Sequence, residues 1–354
     1  MKTCPACGRI YTVTRDFLRQ TSRWRVCRSG NLYFNCSCDN TIILPKGKYD
    51  WYSPDLMMSQ QAASVFNTFS KSDSIPYLPP VAIELAEGLR NEKISNAQLS
   101  QTCKKDPLLS AQIISIANAA RMPGSQHVDK IEQALALLGR EKLGTITLAA
   151  ALSHFEFKTK HYSKTIFFSE AFTTGLIAEH LCKILYPELS ADLAYVTGAF
   201  CNVGKLLGAI FFSSEIDSVY LSCENFNNPK NWTKAEKECN TIGHDVLGEV
   251  AAALWGMPPE VFTVTQFHHF SVLQQIKNGP VGLQNQKIIK TVTFANQICH
   301  MIRFNSHRTD SEILEGCLKH FNMNDQQLNT MLVHLKPAAE HAEKHVARVF
   351  NLVH

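Results

Sequence analysis

The sequence has no apolar run long enough to cross a bilayer. Uninterrupted apolar stretches such as Leu206–Phe212 stay far short of the about 20 residues that a spanning helix needs. No membrane association is therefore expected. No apolar segment of the secretory type follows Met1-Lys2-Thr3-Cys4-Pro5, so a cytoplasmic location is expected. Strand signals are scarce beyond residue 45, and there is no internal repeat or low-complexity tract. Also missing are G-x-S-x-G, G-x-x-x-x-G-K-[ST] and a dinucleotide fingerprint. Gly139-Arg140-Glu141-Lys142 lacks the preceding strand that a phosphate loop requires. P-loop nucleotide hydrolysis is thereby excluded.

What is present is the composition of a folded chain: 354 residues, 45% hydrophobic, 19% charged and 9% aromatic. That length suits one extended domain with a small appendage, or two ordinary domains. Charge divides unevenly along it. Residues 1–50 carry nine Lys/Arg against three Asp, a net +6, so the other 304 residues sum to −2. Only the amino-terminal segment is thus a candidate for acidic partners.

Cysteine is divided in the same way. Of 12 cysteines, five fall within the first 38 residues and seven scatter through the rest. The scattered set (Cys103, Cys182, Cys201, Cys223, Cys239, Cys299, Cys317) lies mostly in apolar helical text, where a free thiol acts as a small hydrophobe. The early set reads as metal-binding. Cys4-Pro5-Ala6-Cys7-Gly8 is a C-x2-C knuckle that turns two thiolates toward one ion, and Cys36-Ser37-Cys38 supplies a second pair between strand-like runs. Two knuckles flanked by short strands resemble a zinc ribbon over residues 1–50. Cys4, Cys7, Cys36 and Cys38 are the expected ligands, with Cys27 an alternative to Cys36 or Cys38. A segment this short cannot bury a stable core, so a closed four-thiolate zinc site would supply folding free energy, not catalysis. Between the knuckles Arg23, Arg25 and Arg28 lie near Trp24, a pattern suited to nucleic-acid contact, although a solvated basic face is the commoner explanation.

Residues 51–74 read as a linker with one short helix around Gln61–Phe69. Beyond it the text is almost wholly helical. Leu78-Pro79-Pro80 opens one helix, Ser95 with Gln98 forms a capping box, and Asp106-Pro107 starts another. Asp129 with Glu132 is expected to cap a further helix, which Gly139 stops. Helical periodicity continues over Thr165–Leu185, Ala191–Phe212, Thr233–Trp255, Pro259–Phe270 and Ile288–Phe304. A helix over Asp310–Phe321, one capped by Asn324 with Gln327, and one opened by Pro337 are expected to pack back on the body over residues 276–354. Docking of that last helix on another protein is the alternative. The predicted fold is all-α, preceded by a small β-rich module.

Leu78-Pro79-Pro80, Ser95-Asn96-Ala97-Gln98-Leu99, Asp106-Pro107-Leu108-Leu109-Ser110, Ile116-Ala117-Asn118-Ala119 and Leu137-Leu138-Gly139 occur in an order that closely resembles the HDOD (HD-related output domain) family. The resemblance covers roughly residues 75–275. It implies an HD-superfamily phosphohydrolase fold that has lost its metal site and serves bacterial signalling as a regulatory module. Signalling proteins, including enzymes of cyclic-dinucleotide turnover, are the implied partners.

An HD hydrolase holds divalent metals with neutral imidazoles and charged carboxylates, which acidify water and polarise phosphate. When the superfamily pattern is laid on this chain, Glu170 stands where its first histidine belongs. Cys201-Asn202 replaces the His-Asp dyad before Gly204-Lys205. His244 and the pair His268-His269 survive. The closing aspartate corresponds to Asn296. Four positions are changed, and both acidic ones have become amides. Hydrolysis is therefore not expected, because an amide contributes no charge to neutralise a metal pair. The chain is expected to be a pseudoenzyme. A rewired single-metal site using Glu170, Cys201, His244 and His268 is the chemically permissible rival to an ordinary hydrogen-bonded polar core.

Overall fold

The computed structural model describes residues 59–70, 80–90, 93–120, 126–225, 231–255, 257, 259–269, 283–304 and 311–351, with five short strands among residues 2–44. The strands are β1 (Lys2–Thr3), β2 (Ile10–Tyr11), β3 (Thr21–Val26), β4 (Leu32–Cys36) and β5 (Thr41–Leu44). β1 pairs antiparallel with β2, and β3-β4-β5 form an antiparallel sheet in that order, with Thr21 opposite Cys36 and Tyr33 opposite Ile43. Cys4, Cys7, Cys27, Cys38 and Arg28 lie outside the described residues.

The body is all-helical. In chain order its helices are α1 (Gln60–Ser70), α2 (Pro80–Arg90), α3 (Asn96–Cys103), α4 (Pro107–Ala120), α5 (Ile131–Ser153), α6 (Lys164–Leu185), α7 (Ala191–Phe200) and α8 (Val203–Phe211). There follow α9 (Ser213–Cys223), α10 (Trp232–Glu238), α11 (His244–Leu254), α12 (Pro259–Phe267), α13 (Leu283–Phe304), α14 (Ser311–His320) and α15 (Asp325–Asn351).

Local signals decide most helix starts. Ser95 Oγ accepts from the Gln98 amide while Gln98 Oε1 accepts from the Ser95 amide at 2.8 Å. Asn324 and Gln327 make the same reciprocal pair at 2.9 Å. At α5 the expected cap is displaced: Gln133 closes onto the backbone of Asp129 and Lys130, while the Glu132 carboxylate accepts instead from Ser100 Oγ on α3. Gly139 interrupts α5 but does not end it. Its φ of 76° breaks the helical path, and Arg140 then reaches back to the carbonyls of Gly88 and Ile94 while the helix resumes.

Three longer expectations are corrected. The Ala191–Phe212 run is two helices, because Asn202 leaves the helical region at φ −98°, ψ 17° and interrupts the helix. Among the described residues this segment alone is apolar and long enough to suggest a membrane span, and 94% of its most apolar stretch is buried in the core. Thr233–Trp255 also divides: Asn240 adopts φ 51° after α10, and Thr241 N–H returns to the Glu236 carbonyl at 3.0 Å, a left-handed helix stop. At the carboxyl end, Pro337 sits inside α15 and does not open a new helix. Proline deprives the Val333 carbonyl of its partner four residues on, and Val333 is 71% exposed, so the break falls on the solvent side of the helix.

Two cores result. One is built by α1–α5 with α8–α11, α6 contributing Phe167, Phe168 and Phe172 to it. The other lies beneath α6, α7 and α13–α15. α15 packs against α4 and α6, and His341 Nε2 lies 3.1 Å from the Asn118 carbonyl. The helix expected within the linker, α1, rests on α11, where the Ser59 amide donates to Glu249 Oε2 at 2.6 Å. Burial pushes the Glu249 carboxyl up to about 7 against those hydrogen bonds.

α8 crosses α11 at glycine. A methyl group at Gly204 would overlap the carbonyl of His244 and lie 2.5 Å from the Gly248 amide nitrogen. Gly204→Ala must therefore push the two helices apart, at a cost of at least about 1–3 kcal/mol. Urea denaturation of the purified variant measures this, and unchanged stability would show that the crossing is not close.

Candidate functional site

The α8–α11 crossing places three helix ends around one polar interior. α8 opens with Asn202 as its cap and carries Lys205; α11 begins at His244; and the chain leaves α12 through His268 and His269. α6 contributes Glu170, α10 contributes Trp232 and Glu236, and α13 contributes Asn296. His244, His268, Glu170, Lys205, Glu236, Asn202 and Asn296 are all buried to 5% exposure or less.

The sequence-predicted positions separate into three groups. Asn202 Nδ2 donates to Asn296 Oδ1 at 2.9 Å, linking α8 to α13 with a neutral amide pair. Glu170 Oε2 accepts from Lys205 Nζ at 3.3 Å, and the same ammonium lies 4.3 Å from the Trp232 ring centroid. Cys201 stands apart from both: its thiol donates to the Gly198 carbonyl at 3.2 Å, and burial pushes it up to about 12. It is therefore a poor source of thiolate.

The histidines form the third group. His268 Nδ1 lies 2.9 Å from the Thr265 carbonyl, so that nitrogen donates and the neutral ring offers Nε2 as an acceptor. His244 Nε2 faces it at 3.2 Å. Two bare nitrogen lone pairs would repel at this distance, so one of the two nitrogens carries the hydrogen and donates to the other. On the other side of His244, Nδ1 lies 3.0 Å from Glu236 Oε2, while Glu236 Oε1 accepts from the His244 amide at 2.8 Å and from Trp232 Nε1 at 2.9 Å. Burial raises Glu236 to about 8 and lowers His244 to about 3. Burial thus pushes both groups toward their neutral forms, and with both neutral a chain of donors can run from Glu236 through His244 and His268 to the Thr265 carbonyl. His269 stands beside them, its Nδ1 3.4 Å from Thr233 Oγ1 and its Nε2 buried with no partner among the described residues.

The profile of the HDOD domain family matches residues 75–271. The chain belongs to the HDOD family. Among solved structures, the fold is similar to a protein of Shewanella amazonensis SB2B provisionally named a phosphohydrolase: TM-score 0.61, 19% identity, covering 82% of this chain and 99% of that one. It is also similar to an HDOD domain protein of unknown function from Geobacter sulfurreducens: TM-score 0.60, 17% identity, covering 83% and 99%. These likenesses show the fold alone. An uncharacterized protein of Treponema pallidum (strain Nichols) is 24% identical over 273 residues, and this chain spans 50% of its length.

The HD superfamily's paired metals do not fit the HDOD site of this chain. The two positions that would bring carboxylates hold amides bonded to each other. Asn202 Oδ1 is buried without a partner among the described residues, but it is a single neutral oxygen. The one acidic replacement, Glu170, already faces an ammonium. Lys205, Glu236 and Trp232 were not legible as site residues, because nothing in their local text marks them. Lys205 follows the Gly204 that flanks the dyad position, which was the one available signal.

Two measurements follow. Lys205→Met removes the ammonium that faces buried Glu170, so it costs about 3–5 kcal/mol, and Lys205→Met with Glu170→Met recovers most of this; denaturation of the two variants checks it. Glu236→Gln reproduces the protonated carboxyl. A raised Glu236 gives stability that is full below the ordinary 4.5 and is lost as pH rises through about 8. The depressed His244 acts oppositely only below its ordinary 6.5. The wild type should therefore lose on the order of 1 kcal/mol per pH unit between about 6.5 and 8 that Glu236→Gln keeps. A variant destabilised equally at every pH would place the proton on His244.

Proposed function

We propose that this HDOD protein is a non-catalytic regulatory module that acts by binding other proteins. The observation that carries the reading is the Asn202–Asn296 amide pair, 2.9 Å long, at the two positions where a phosphohydrolase needs carboxylates. Uncharged amides satisfied by each other gather no negative charge for a pair of dications, and the adjacent Lys205 ammonium opposes one further. What remains is a rigid helical body whose surfaces can engage signalling proteins in the cytoplasm, among them enzymes of cyclic-dinucleotide turnover.

The amino-terminal segment, in this reading, is a separate zinc module held by Cys4, Cys7, Cys36 and Cys38, with residues 51–74 connecting it to the HDOD body. Support comes from the knuckle spacing and from the antiparallel strands β4 and β5 that bracket Cys36 and Cys38 in sequence. The linker's helix α1 then fastens to α11 through Glu249.

The deciding assay incubates full-length protein with a cyclic dinucleotide and with a simple phosphodiester, each with Mn2+ or Mg2+ in excess. No turnover above the buffer rate is expected. Hydrolysis that Lys205→Met or Asn202→Ala abolishes would overturn the reading.

A further inference from the structure

α1 is capped differently from the helices that begin at Ser95 and Asn324. Each of those two residues stands three places ahead of a glutamine whose side chain accepts from its amide, so the cap is complete within one helix. α1 opens in the same way, with Ser59 Oγ accepting from the Ala62 amide at 3.1 Å. The residue three places on is that alanine, which has no side-chain acceptor to return. The Ser59 amide goes instead to Glu249 Oε2 on α11, 190 residues away, at 2.6 Å. Another helix closes the capping box of α1.

α1 also needs α11 for its packing. Among the described helices α11 is its principal partner, and Ala62 and Phe66 of α1 are buried. A helix of 11 residues that includes Ser, Thr, Asn, Val and Phe has little stability of its own in water. Seating on α11 and folding of α1 are therefore one event.

Glu249 stands at the centre of that event, 2% exposed. α1 brings it no ionisable side chain. Of the other helices packed on α11, α8 carries Lys205, which Glu170 engages, and α12 carries Glu260 in its first turn. The charge that acts on Glu249 is Asp245, one turn back on α11 and of the same sign. The hydrogen bonds of Ser59 and the amino terminus of α1 favour the carboxylate, but burial outweighs them and pushes the seated carboxyl up to about 7. With α1 lifted, water replaces that burial.

We propose that α1 is a proton-controlled latch, seated on α11 while Glu249 holds its proton and loosened when the proton leaves. A seated carboxyl raised above its ordinary 4.5 gives seating an advantage that is full below 4.5 and is lost as pH rises through about 7. The latch does not rest on the non-catalytic reading.

The test is hydrogen exchange of the full-length chain, followed by mass spectrometry from pH 5 to 8 with the intrinsic pH dependence of exchange divided out. Protection of α1 should fall by up to about tenfold per pH unit between about 5 and 7 and then level off, while that of α13 stays constant. Glu249→Gln, which keeps an acceptor for the Ser59 amide, should make α1 protection independent of pH. Phe66→Ala should lower it at every pH with the same slope. Protection of α1 that is flat in the wild type, or that falls in step with α13, overturns the proposal, and this comparison needs no variant to fold. A slope that survives Glu249→Gln would overturn it as well.

Discussion

The interior of this protein is organised by a backbone contact. α8 and α11 approach so closely at Gly204 that no side chain fits between them, and the group that excludes it is the carbonyl of His244 itself. The start of α11 is thus held against the first turn of α8, which sets the distance from His244 to Asn202 and Lys205. Interiors packed at crystal-like density transmit such a constraint instead of absorbing it. The Lys205–Glu170 pair, the amide pair and the histidine chain all follow from that crossing.

Around it, charge is handled conservatively. One ammonium meets one carboxylate and an aromatic face, two amides bond each other, and the Glu236 carboxyl meets His244 at 3.0 Å. Each buried polar group answers another, which is the condition for keeping such groups inside at all. The arrangement is nearly self-sufficient among the described residues. His269 Nε2 and Asn202 Oδ1 are its exceptions.

Much of the body was legible because its signals are local. Ser95 with Gln98, and Asn324 with Gln327, are three residues apart and cap their helices whatever the rest of the chain does. The changed HD positions could be located because their order along the chain is distinctive. Glu236 could not: it meets His244 across a left-handed stop at Asn240, whose backbone conformation no periodicity announces. Pro337 misled for the opposite reason. Proline is at home in the first turn of a helix, and only the exposure of Val333 lets it lie mid-helix instead. The amino-terminal ligands rest on spacing alone.

The fastening of α1 to α11 through Ser59 and Glu249 has a mechanical meaning. The helix that receives the chain from its amino-terminal part is moored to the same rod whose tip is His244. Ser59, where the described chain of the body starts, is thereby anchored at Glu249, four residues along the helix from Asp245 and five from His244, so the beginning of the body and its polar interior share one rod.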